Sequence, residues 1–258
     1  MAVDRELFQK GFTEATVPNW PCPECGATLL LDKESLRDRE TTASRTGHRH
    51  RTGGPPWGES TFCCLLHCSR QKECREPVAL VGKATEDVDA DERGETILST
   101  YYEPVYFFPA LRLFSVPDAV PKEVREFISQ AFSLFKASPP GCVGRIRAAI
   151  EKMLSIEGIP LYPRRGRRRP LPLHSRIELW RKKAPTLADK LIATKWIANE
   201  GVHRSVTIDD AFDALDILEF VLEEHYGRRS HAIQKLSTEI IKRKRPRSAV
   251  RPQKGQAV

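Results

Sequence analysis

The apolar positions change their spacing near residue 121. Beyond it Val124, Phe127, Ile128, Ala131, Leu134 and Phe135 recur every three to four residues and predict a helix with Pro121 as its first residue. Pro139-Pro140 separate it from a second helix carrying Ile146, Ala149, Ile150, Met153 and Leu154, stopped by Gly158. A short helix opens at Leu173, and a longer one over 187–199 takes Thr186 as its N-cap. Thr207-Ile-Asp-Asp210 has the form of a capping box with Asp in place of Glu. The helix it starts places Ala211, Leu215, Leu218, Leu222 and His225 on one stripe closed by Gly227. A last helix over about 230–244 runs into Lys-Arg-Lys-Arg-Pro-Arg and a tail, 245–258, expected to be disordered.

Before residue 121 the pattern is of another kind. Leu7, Phe8 and Phe12 suit a short helix within an N-terminal segment, 1–19. Phe62–His67 and Val78–Gly82 read as short strands, with Cys63 and Cys64 facing opposite sides. Residues 32–60, polar and rich in Arg, Thr, Gly and His, read as a long mobile loop, and 84–100 as an acidic surface excursion. Tyr101–Pro109 and Leu111–Ser115 suit strands or an extended cover. The expected organisation is α+β: a zinc ribbon with short strands and its β extension over 20–115, then a helical bundle over 116–244.

Metal chemistry enters through the cysteines, seven in 258 residues. Cys22-Pro-Glu-Cys25-Gly26 is a knuckle in which two thiolates converge on one tetrahedral ion above a tight turn. Cys68 and Cys74 make the more natural second pair, with Cys64 or His67 as substitutes for Cys68. Four thiolates leave no open position, so the expected cofactor is a structural Zn2+, bracing a core too small to hold itself.

Charge divides the chain. Residues 159–258 hold 22 Lys+Arg against 11 Asp+Glu, whereas residues 1–158 hold 20 against 23. The basic half favours polyanionic partners such as RNA or DNA, and Arg164, Arg165, Arg167, Arg168 and Arg169, bounded by prolines, form a solvent-exposed loop suited to phosphate. A merely solvated basic loop is the plainer alternative. No apolar run approaches the ~18 residues of a membrane span, and the N-terminus lacks the basic-then-apolar layout of a secretory signal, so a cytoplasmic protein with no membrane partner is expected.

The candidate chemistry concentrates in Leu191–His203. An apolar helix bearing Lys195 and Trp196 ends in Asn199-Glu-Gly-Val-His203, where Gly201 accepts the backbone conformation that closes a helix. Such a corner gathers an amide, an imidazole and the cations Lys195 and Arg204. It also serves as a plain structural turn, with Asn199 capping backbone groups. Arg147 and Glu151, four residues apart, form either an exposed ion pair or a contribution to that corner.

These motifs in their order carry a resemblance: Cys-Pro-x-Cys-Gly, a second Cys pair, Tyr-x-Pro, Val-Pro-x-x-Val-Pro, Arg147-Ala-Ala-Ile-Glu151, Leu173-His-Ser-Arg-Ile and Ala193–His203. Over about residues 20–242 the chain resembles the bacterial domain of unknown function 4145. That family is similar to the HEPN (higher eukaryotes and prokaryotes nucleotide-binding) helical bundles and is associated with restriction and anti-phage systems. The resemblance implies a HEPN-like bundle, a possible homodimer, and partners in a defence complex. Ribonucleases of that type carry Arg, a polar residue, spacers and His. Asn199 and His203 match the last two, while Ala198 occupies the Arg position, leaving Lys195, Arg204 or Arg147 to supply the cation. A nucleic-acid-associated defence or regulatory protein is therefore expected, the alternatives being a metal-independent endoribonuclease centred on His203 and a protein-binding adaptor.

Overall fold

The computed structural model describes residues 3–49, 58–90, 96–163, 169–200, 206–227 and 229–243. Its first half is built on one antiparallel sheet. β1 (Leu29–Glu40), β2 (Glu59–Cys68), β3 (Pro77–Ala90) and β4 (Thr96–Phe108) lie side by side in chain order. The strands are 10 to 14 residues long, not the short ones expected. Much of the supposed 32–60 loop is β1 together with a helix over Thr42–Arg49, and most of the acidic excursion is the β3–β4 hairpin. Polar composition hides such strands: only one face of a sheet needs apolar residues, and long pairs are held by the backbone ladder itself.

Along β2, Phe62, Cys64, Leu66 and Cys68 are buried while Thr61, Cys63 and Leu65 are exposed, the period of two that a half-buried strand requires. On the inner face Phe12 meets Trp20, Phe62 and Tyr102 at ring separations of 5.6, 5.6 and 5.1 Å. Phe12 is held there by paired backbone bonds with Tyr102, each 2.8 Å. At Gly82, beside a bulge in the β3–β4 register, a side chain would strike the Glu103 carbonyl oxygen at 2.0 Å, so only glycine lets the strands close.

Residues 3–19 turn out to stitch the halves together. A short helix α1 (Arg5–Gln9) places Phe8 against Phe135, and the Val3 N–H donates to Asp216 Oδ1 at 2.7 Å. Arg5 donates to Asp213 and Asp216. The buried apolar residues accordingly form one continuous core from Val3 to Leu222.

The helical half follows the predicted periods closely. With the Thr42–Arg49 helix as α2, it comprises α3 (Lys122–Leu134), α4 (Pro139–Ile156), α5 (Leu173–Arg181), α6 (Pro185–Glu200), α7 (Ile208–Tyr226) and α8 (Arg229–Arg243). Pro121 sits just outside α3 as its cap, and Pro139-Pro140 occupy the first turn of α4, where their missing N–H groups cost nothing. Thr186 lies inside α6 instead of capping it. The Thr207–Asp210 capping box is present in both directions, and Ala211, Leu215, Leu218 and Leu222 are buried as one stripe. Leu111, Leu113 and Phe114 are buried without forming a strand.

Candidate metal centre

Two turns meet at one end of the sheet. In the first, Gly26 N–H donates to the Cys22 carbonyl at 2.9 Å and Cys22 N–H to the Ala27 carbonyl at 2.6 Å, so Cys22 and Cys25 face the same way. Closing this loop puts Gly26 at φ 73°, a left-handed conformation that side chains resist. In the second, Cys68 ends β2, and Glu73 and Cys74 both donate backbone N–H groups to the Arg70 carbonyl. The Ser69 N–H donates to the Thr28 carbonyl at 2.9 Å and ties the two turns together.

The result is four sulfurs, of Cys22, Cys25, Cys68 and Cys74, all within 4.8 Å of one another. Cys22 and Cys74 are 3.8 Å apart and Cys25 and Cys68 3.4 Å. Bonds of ~2.3 Å to a tetrahedral ion place sulfurs about 3.8 Å apart, so the set has the size and the donor chemistry for one metal ion. Cys22 and Cys68 are buried, and Cys25 and Cys74 partly so. The Arg70 N–H donates to Cys68 Sγ at 3.4 Å, the kind of backbone bond that stabilises a thiolate. The Cys25 thiol is lowered to about 7, first by the Ala27 N–H, against its own partial burial. Cys74 is pushed up to about 12: the Glu76 N–H acts to lower it, but burial and the three neighbouring thiols win. One sulfur thus readily carries negative charge in this cluster, and a bound cation would draw in the others.

Cys64 and His67 lie outside the cluster. Cys64 points into the core, where burial pushes its thiol up to about 12, and His67 sits on β2 opposite Leu30. A groove of about 840 Å³ runs from the knuckle to α3. Its Arg112 and Arg125 are outnumbered by Glu24, Glu76 and Asp118, and with thiolates beside them this groove does not suit a polyanion.

The other expected site residues fare differently. Arg147 Nε donates to Glu151 Oε1 at 3.0 Å in a half-exposed pair on α4. Lys195 and Asn199 lie on α6 by their backbone, and Arg169 is exposed ahead of α5. The side chains of Lys195 and Asn199, together with Arg164, Arg165, Arg167, Arg168, Gly201, His203 and Arg204, lie outside the described residues.

Two groups outside the expected site hold the helical half together. Arg176, 1% exposed, donates to the carbonyls of Glu151 and Ile159 and to Ser155 Oγ, tying α5 to the last turns of α4 and to the segment that follows it. His225 Nε2 lies 2.9 Å from Glu157 Oε1 and packs edge-on against Trp180. A helical arginine at such an end is indistinguishable by sequence from a solvated one.

Residues 129–247 match the family model of a domain of unknown function, DUF4145, and residues 10–108 match a second domain of unknown function, DUF8608. The matched DUF4145 span is therefore the helical half and not the 20–242 expected from the motifs; the sheet and its thiol cluster are similar to a different family. No curated protein and no solved structure matches the chain. No helix among the described residues is long and apolar enough to cross a membrane.

Proposed function

We propose that this is a nucleic-acid-associated protein of bacterial defence or regulation, in which a zinc-ribbon-like sheet half supports a non-catalytic, HEPN-like helical half. The observation that carries the reading is the charge division: 22 Lys+Arg against 11 Asp+Glu after residue 158, following a half with 20 against 23. A field of that sign favours phosphate polymers, and arginine supplies bidentate contacts to them. The four thiols take Zn2+ as a brace: soft sulfur donors in a closed tetrahedral set select a structural zinc and leave no position for substrate. The nucleic acid then meets Arg164–Arg169 and Arg204, and partners of a restriction or defence complex meet the remaining surface.

The deciding measurement is binding of the full chain to labelled RNA and DNA across a salt series. Affinity falls steeply as salt rises, because each phosphate contact releases counterions. Failure to retain either polymer at ~50 mM salt leaves the adaptor reading. The endoribonuclease reading is favoured by the Asn199–His203 motif alone, with Lys195, Arg204 or Arg147 as its cation. In a cleavage assay without metal, His203→Ala matches the parent, both being inactive; RNA cutting by the parent that is lost in the variant reverses this assignment.

A further inference from the structure

The inner face of the sheet is covered by the core; the outer face is left uncovered by the described residues, and two of its rows are apolar. Register places Leu65, Ala79 and Phe108 in one row across β2, β3 and β4, and Cys63, Val81 and Tyr106 in the next. Leu65, Val81 and Phe108 are 46%, 41% and 65% exposed. At these positions an open antiparallel sheet ordinarily presents polar side chains to water. Together the two rows expose on the order of 400 Å², the size of the largest apolar patch on a typical single chain, which is often a functional one.

The rim identifies the occupant. On β1, Asp32 continues the first row, opposite Leu65, and Arg37 continues the second, opposite Cys63. In the row beyond, Lys83 stands opposite Glu103. With Arg39 of β1, opposite Thr61 in that same row, the rim mixes three cations with two carboxylates, and the order of the rows makes the face complementary to itself. A two-fold axis crossing the strands between the two rows lays the first row of one copy on the second row of the other. It sets Asp32 over Arg37 twice and closes apolar residues against apolar residues. Two patches of that size bury about 800 Å² before the charged rims are counted, toward the low end of protein–protein interfaces.

We propose that the outer sheet face is the contact between two copies of this chain, stacked as a two-sheet sandwich about a two-fold axis. The inference is independent of nucleic-acid binding and stands or falls without it. Face-to-face sheets pack about 10 Å apart, close enough for the Asp32 and Arg37 side chains to meet across the rim. The interface is isologous, so each charge pair occurs twice.

Sedimentation equilibrium of the metal-loaded full chain is the test. The parent sediments with twice the chain mass at micromolar concentration, and Val81→Lys sediments as a single chain. Leu65→Lys does the same, and circular dichroism and metal content show that both variants remain folded. Asp32→Arg and Arg37→Asp each weaken the dimer by about tenfold, whereas the double exchange restores it. A parent that remains a single chain at ~100 µM, above the range of typical stable interfaces, overturns the proposal. So does a dimer indifferent to Val81→Lys and Leu65→Lys, held instead through the exposed Ile233 and Ile240 of α8. Loss of RNA binding in Val81→Lys from a parent that is a single chain overturns it as well, and makes the face a nucleic-acid surface.

Discussion

The two halves use the same side chain in opposite ways. Cys142, in the first turns of α4, is buried among apolar residues, and burial alone pushes its thiol up to about 12, making it a small inert hydrophobe. Cys25, at the end of the sheet, is partly exposed, accepts a backbone N–H and faces three other sulfurs, which together bring it down to about 7. Burial without donors silences a thiol; donors and neighbours make it a ligand. The same contrast holds for the halves as wholes. Ile146, Ala149, Met153, Leu154 and Leu215 are fully buried in the helical half, which closes on its own apolar volume. The sheet half buries only one face within its own chain and has its thiol turns at one end of the sheet.

Breaking the metal centre sharpens that contrast most. Cys68→Ser removes a donor whose backbone also pairs with Glu76, and metal binding in such closed sites carries on the order of 10 kcal/mol. Hydrogen exchange is expected to lose protection over β1–β3 while α4 and α7 keep theirs; equal loss in both halves would mean that the centre braces the entire chain. Elemental analysis of the parent gives one zinc per chain.

The intermediate case lies in the helical half. Arg176→Ala removes the donor to the Ile159 carbonyl and the Ser155 hydroxyl, while the Glu151 carbonyl keeps its bond from Ser155 Oγ, at a cost of about 2–4 kcal/mol. Denaturant midpoints read it directly, with metal content unchanged. A loss below ~1 kcal/mol would show that water replaces the guanidinium.

The smallest effect is electrostatic and local to α7. The Thr207 N–H holds the Asp210 carboxyl below its ordinary range. A depressed carboxyl contributes its stability above the unfolded value, near 4, and loses it as pH falls through the folded one. The amide N–H groups at the start of α7 should therefore lose protection below about pH 4, and Asp210→Asn should flatten that dependence.

Much of the helical half was legible because its signals are local. The 3.6-residue stripes, the Thr207–Asp210 box and the stop at Gly158 each lie within a few residues of one another, and the elements follow them. The cysteine knuckles were legible for the same reason: Cys22 and Cys25 share one turn, and Cys68 and Cys74 the next. The strands were not. Asp32–Glu40 and Glu86–Asp89 look like loop by composition, since the ladder bonds that stabilise them use no side chain and the partners of Asp32–Glu40 lie 20 or more residues away.

By itself the sequence determined the helices beyond residue 121, the two sulfur pairs and the division of charge, all of them properties of residue type at short range. Tertiary structure alone decided which sulfurs share a site, that Arg176 is buried and not solvated, that residues 3–19 bind the halves together, and that two apolar rows look outward. Each of these depends on which distant backbone comes alongside, and that is set by the packing of the entire chain.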